Sequence, residues 1–234
     1  MILKIGKELE NQIYLLTLHY KVLYMKEEKF NLEDLKEIKG LMERSVKFLS
    51  LSGLASIIIG FIALTGIISI LIFLHKSPLQ PSLIPWGETI NGISVNKFIF
   101  LNATNILVLS LAIAAAFAIK NQRKAKEPLW NKVSQNLLFN LFTPLFTGGI
   151  LCLIFINQGL EIYLAGTSLL FYGLGIIGIS KYSFDELKYF GLIQTLLGLT
   201  ALYFLEYSVQ IWALGFGVLH IIYGLRIFKN FESK

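Results

Sequence analysis

Residues 48–74 read FLSLSGLASIIIGFIALTGIISILIFL, twenty-seven positions without a charged side chain. A hydrocarbon layer ~30 Å thick is crossed by about 20 residues of helix at ~1.5 Å rise per residue, so this stretch is long enough to span a membrane. Five further apolar runs follow, Phe98 to Ile119, Leu137 to Ile156, Leu160 to Ser180, Tyr189 to Leu205 and Val209 to Phe228. None alternates with the period of two that a membrane strand of about 9–11 residues requires. The third and fourth runs are separated only by Asn157, Gln158 and Gly159, and the fifth and sixth by Glu206, Tyr207 and Ser208, so each pair reads as a tight helical hairpin. The expected fold is all-α, a polytopic membrane helix bundle of six transmembrane helices. Composition agrees: 55% of residues are hydrophobic and 15% charged, where a soluble domain carries about 25% charge.

Lys and Arg orient the spans, because cytoplasmic flanks retain positive charge. Nine precede the first run, Lys120, Arg123, Lys124, Lys126 and Lys132 follow the second, Lys181 and Lys188 follow the fourth, and Arg226, Lys229 and Lys234 lie at the end. Nineteen of the twenty-one thus fall on one side, leaving Lys76 and Lys97 for the other. Six spans with both termini in the cytoplasm (N-in, C-in) satisfy this bias. The net charge of +6 is then a topological signal directed at the lipid bilayer, and no nucleic acid need be invoked. Trp86, Tyr163, Tyr203, Tyr207 and Trp212 near the outer ends and Trp130, Tyr182 and Tyr189 near the inner ends suit interfacial anchors. The outer loop between the first two spans carries Pro78, Pro81, Pro85, Gly87 and Gly92 and should be extended or turn-like.

Three regions follow: a cytoplasmic N-terminal segment over 1–47, the transmembrane domain over 48–228 and a cytoplasmic tail over 229–234. In the first, Asn31 can cap a helix whose first turn holds Glu33 and Asp34. Leu32, Leu35, Ile38 and Leu41 or Met42 then recur at helical spacing, an amphipathic helix leading to the membrane. Lys7, Glu8, Glu10 and Asn11 interrupt the start, so no cleavable signal peptide is expected. Residues 1–24 read either as a further helix or as an over-extended gene start before Met25. Cys152, the sole cysteine, lies inside a span and reads as a small packing residue.

GLASIIIGFIAL from Gly53 and GLIQTLLGLTAL from Gly191 align both glycines, the following Leu and the closing Ala-Leu, while Tyr172 and Tyr223 each open Tyr-Gly-Leu-x-Ile. A duplicated hairpin would leave this pattern, and so would apolar helices that share a Gly, Ala, Leu and Ile composition. IKGLMERSVKFLSLSGLASIIIGFIALTG, SKYSFDELKYFGLIQTLLGL and WALGFGVLHIIYG together resemble an uncharacterised family of six-span bacterial integral membrane proteins found mostly in Bacteroidetes, over residues 31 to 228. That resemblance implies a bacterial inner (cytoplasmic) membrane and carries no activity, cofactor or catalytic residue. The last hairpin is also similar, more weakly, to the six-span acid-resistance membrane family, through a Gly-x6-Gly helix followed by a Gly-rich one.

Polar side chains inside a bilayer are costly and mark candidate sites. Counted from the span centres, His220, Gln194 and Tyr172 fall about one turn to the cytoplasmic side of the midplane, with Thr147 near the same level, so the four can form one polar cluster. His220 could titrate or bind a ligand there, or the group could simply hold helices together through hydrogen bonds. Asn136, Asn140, Thr143 and Thr147 make a polar stripe on the third span, broken by Pro144, suited to a pathway or to an ordinary interface. Ser52, Ser56 and Gly60 repeat small residues every four positions, a surface for close contact within the bundle or with a second copy or another membrane protein.

Enzyme signatures are missing: His19, His75 and His220 lie in three different environments and cannot share a metal, and no span holds a carboxylate. No catalytic, metal or cofactor-binding residue is therefore expected. The leading expectation is a non-enzymatic accessory, sensory or stress-related membrane protein. A small transporter or channel for an apolar or weakly polar solute is the alternative.

Overall fold

The computed structural model describes residues 17–21, 52–77, 83–125, 130, 132–182 and 185–232. The chain divides into two units, Met1–Ser45 and Val46–Lys234. In the first unit residues 17–21 are an exposed turn of helix; the amphipathic helix expected from Asn31 onward lies outside the described residues.

The second unit is a helix bundle. Its elements are α1 (Gly53–Phe73), a hairpin of β1 (Thr89–Ile90) and β2 (Ile93–Ser94), α2 (Val95–Ala125), α3 (Lys132–Asn157), a 3-10 turn leading into α4 (Leu164–Ser180), and α5 (Asp185–Tyr203). A second 3-10 turn leads into α6 (Ser208–Trp212), which continues through a π-helical stretch (Ala213–Leu219) into α7 (His220–Ile227). Five of these helical stretches are long and apolar enough to cross a membrane, the segment from Leu205 to Asn230 counting as one. α5, which contains the expected fifth span, falls outside that group: Asp185, Glu186 and Lys188 stand in its first turn. α2 runs six residues beyond the expected Ile119, because Lys120 and Arg123 tolerate water and leave the helical pattern unbroken.

Local chemistry ends the helices where the sequence turns. After α1, His75 adopts a left-handed conformation (φ 51°), Lys76 N–H donates to Leu71 O at 3.0 Å, and His75 N–H donates to Ile72 O at 3.1 Å. This six-to-one closure satisfies carbonyls that the helix end would otherwise orphan. Gly159 (φ 71°) does the same after α3, with Leu160 N–H donating to Phe155 O at 2.8 Å. Between β1 and β2, Asn91 (φ 50°) and Gly92 (φ 80°) make the two-residue turn that an Asn-Gly pair favours. Asn96 then ties this hairpin to the α3–α4 connection: its Oδ1 accepts from Gly87 N–H at 2.7 Å and its Nδ2 donates to Glu161 Oε1 at 3.0 Å.

Helices in lipid gain little from hiding apolar surface, so close backbone approach and interhelical hydrogen bonds decide their packing. Two antiparallel crossings supply that approach here. On α4 and α5, a Cβ at Gly166 would stand 2.9 Å from Gly198 O, and one at Gly198 would stand 2.9 Å from Gly166 O. One step along, the same reciprocal relation joins Gly173 and Gly191, at 2.8 and 3.0 Å. Between α1 and the last helix, a Cβ at Gly53 would stand 2.6 Å from Gly224 O, one at Gly224 would stand 2.6 Å from Gly53 O, and one at Gly60 would stand 2.7 Å from Gly217 O. Each helix thus presents two glycines seven apart, and each pair meets its counterpart in reverse order. The aligned motifs from Gly53 and Gly191, and the Tyr-Gly-Leu-x-Ile motifs at Tyr172 and Tyr223, occupy equivalent places in the two crossings.

Ser52, Ser56 and Gly60 lie inside this second crossing. Ser56 is fully buried, and a side chain at Gly60 would strike Gly217 and Ile221. Of the close contacts this spacing allowed, within the bundle or with a partner, the one within the bundle is present here, made with the chain's own last helix. α2 and α3 form the flanks of the bundle: α2 rests on α1, where Asn102 Nδ2 donates to Ser69 Oγ, and α3 rests on α4, where Gly148 receives Phe171.

Candidate functional site

The centre of the bundle holds a polar cluster built by α4, α5 and the last helix. Within the π-helical stretch the register slips, and the Gly215 carbonyl becomes available to side chains. Gln194 Nε2, fully buried on α5, donates to Gly215 O at 2.8 Å. His220 Nδ1 lies 3.0 Å from the same oxygen, and Tyr172 Oη on α4 lies 2.8 Å from His220 Nε2. A carbonyl only accepts, so Nδ1 carries the proton in that bond, and Nε2 of the neutral ring accepts from the Tyr172 hydroxyl. The Gln194 amide also passes His220 Nδ1 at 3.4 Å.

Aromatic rings enclose the imidazole. Phe190 meets it edge-on at 4.9 Å between centroids, Tyr172 lies at 5.5 Å and Phe216 at 5.8 Å. Tyr223 packs on Phe190 at 4.5 Å. Beyond them Trp212 Nε1 donates to Ser168 Oγ at 3.1 Å, a second bond between α4 and the last helix. His220 is 1% exposed, so the ring is closed off from the surroundings. Two buried oxygens of the site, Gln194 Oε1 and the Tyr223 hydroxyl, have no hydrogen-bond partner among the described residues. Gly215 is the position that lets the amide fit: a Cβ there would stand 2.7 Å from Gln194 Oε1.

Three of the four residues expected to cluster therefore meet, and Thr147 does not. It is exposed on α3, where its Oγ1 donates to Thr143 O at 2.9 Å. The rest of the stripe behaves alike. Asn140 Nδ2 donates to Asn136 O at 2.7 Å, Thr143 Oγ1 donates to Phe139 O at 2.7 Å, and Asn136 is exposed. Asn140, Thr143 and Thr147 thus each donate to a carbonyl of their own helix, and among the described residues none of the three bonds another helix. Pro144 leaves the Asn140 carbonyl without its helical donor, and that oxygen lies 3.1 Å from where a Gly178 Cβ would stand.

Chemically the cluster is a short chain of hydrogen bonds from a phenol through an imidazole to a backbone carbonyl. Among the described residues no carboxylate hydrogen-bonds His220, and no three of His, Cys, Asp and Glu gather in metal-binding geometry. Gly215 and the Trp212–Ser168 bond were not singled out in the sequence. Their only signal is the pair of glycines flanking Phe216, which loosens a helix enough for a π turn. Comparison with family models, with curated proteins and with solved structures gives no match, so no family is assigned.

Proposed function

We propose that the chain is a six-span integral protein of a bacterial cytoplasmic membrane, with both termini inside, that acts without catalysis as an accessory, sensory or stress-related component. The interior polar groups carry this reading. Tyr172, His220 and Gln194 bond to one another or to Gly215, while the Asn140–Thr147 stripe faces away from them. A solute pathway needs polar groups left free along one continuous lumen, whereas here Tyr172 and Gln194 bond the last helix and Asn140, Thr143 and Thr147 bond carbonyls of their own helix. The sixth crossing is supported by α5 itself, which lies antiparallel to α4 through both glycine pairs and has no charged residue from Tyr189 to Tyr203.

Two experiments bear on this. With Cys152 replaced by alanine, a membrane-impermeant maleimide should label Thr89→Cys in intact cells and Trp130→Cys only after permeabilisation; the reverse pattern would overturn the orientation. Protein reconstituted into liposomes should leave potassium and glycerol flux at the level of empty vesicles. Flux well above that level, lost on Asn140→Leu, would replace the accessory reading with the transporter.

A further inference from the structure

The least covered helix of the bundle is α2. Only 6% of its most apolar eighteen-residue window is buried, against 39% for α1 and for the segment containing α4. One side rests on α1 through Val95, Ile99, Asn102 and Ile106. Roughly 130° round the helix, at ~100° per residue, runs Leu101, Asn105, Val108, Ala112, Ala115 and Ile119. Their spacing alternates four and three, the repeat that keeps one seam facing a partner helix. All six are exposed.

Asn105 makes this seam more than a lipid-facing surface. It stands seven residues inside the apolar run, about 10 Å along the helix at ~1.5 Å per residue. Its neighbour Thr104 satisfies its hydroxyl on Phe100 O at 2.8 Å, but the Asn105 carboxamide forms no hydrogen bond with any described residue. An amide facing hydrocarbon lacks the partners that water supplies and draws in another polar group.

We infer that this face of α2 pairs with the same face of a second copy across a two-fold axis along the membrane normal. The carboxamide has one donor side and one acceptor side, so it complements itself. Two copies inserted in the same sense place Asn105 at the same depth, and a two-fold axis brings identical patches together. A single Asn in an apolar heptad seam also fixes register and strand number. Ala112 and Ala115 let the backbones close toward the other end of the helix. The inference rests on α2 lying in the membrane, which the labelling of Thr89→Cys and Trp130→Cys tests separately.

The test uses the full chain in native membranes, with Cys152 replaced by alanine. Under a mild oxidant, Val108→Cys and Ala112→Cys should give dimers of twice the chain mass at least fivefold more than Leu107→Cys, which is equally exposed but lies off the seam. Asn105→Leu should raise the dimer dissociation constant about fivefold, the equivalent of ~1 kcal/mol for an interhelical amide bond. Asn105→Gln should recover part of that loss, and circular dichroism should show the fold unchanged in both variants. Equal cross-linking on and off the seam would overturn the inference in favour of plain lipid contact. Adducts with a protein of another mass would overturn it in favour of a different partner.

Discussion

Gly198→Leu is expected to force α4 and α5 apart and to destabilise the bundle by about 3 kcal/mol, at the upper end of what overpacking costs. The atoms in the way are backbone: a Cβ at this position would stand 2.7 Å from Leu170 Cα and 2.9 Å from Gly166 O, neither of which can rotate aside. For a chain of this size the loss corresponds to a fall in melting temperature of roughly 6–12 °C, measurable by thermal unfolding in detergent. Gly149→Leu is the matched control, because nothing lies within 4 Å of a Cβ there, and it should stay within about 0.5 kcal/mol of the native protein. Equal melting temperatures for the two variants would show that the crossing does not hold the helices.

His220→Ala should have an effect of similar size for a different reason. It removes a ring packed among Phe190, Tyr172 and Phe216, leaving a cavity of the kind that costs ~3–5 kcal/mol for a buried aromatic. It also strands the Tyr172 hydroxyl, which has no other partner among the described residues. A buried orphan hydroxyl costs about 1–3 kcal/mol, so Tyr172→Phe should be less harmful in the His220→Ala background than alone. Gln194→Leu is the informative contrast. It removes one bond to Gly215 O while eliminating an unpartnered Oε1, and the carbonyl keeps its bond from His220, so the net change should stay near 1 kcal/mol. Additive losses for Tyr172→Phe and His220→Ala in chemical unfolding would refute the coupling.

Much of this architecture was legible because the membrane simplifies the problem. Long uncharged runs mark helices without any need to judge period, and the arithmetic of ~1.5 Å per residue places side chains by depth. That is how His220, Gln194 and Tyr172 were brought to one level, and the structure joins them. Depth says nothing about azimuth, however, and Thr147 shows the difference: it shares the level, but α3 turns it outward, onto its own Thr143 carbonyl. Azimuth was harder still for Ser52, Ser56 and Gly60. Their spacing announced a close contact, yet its partner, the Gly217–Gly224 segment, lies far along the chain and is recognisable only once the glycines are seen to oppose one another. The π turn at Ala213–Leu219 had no periodic signal of its own, since a one-residue slip leaves a uniformly apolar helix uniformly apolar.

The α1 crossing also has a consequence for biogenesis. Gly53 and Gly60 wait for Gly224 and Gly217, which are more than 150 residues further along the chain. At roughly 5–20 residues per second of synthesis, the first span resides in the membrane on the order of ten to thirty seconds before its clasp is made. α4 and α5, adjacent in sequence, are both made before residue 217, so their glycines can meet before the α1 crossing closes. A nascent chain stalled before residue 217 would leave Ser56 and its flanking glycines without the helix that covers them.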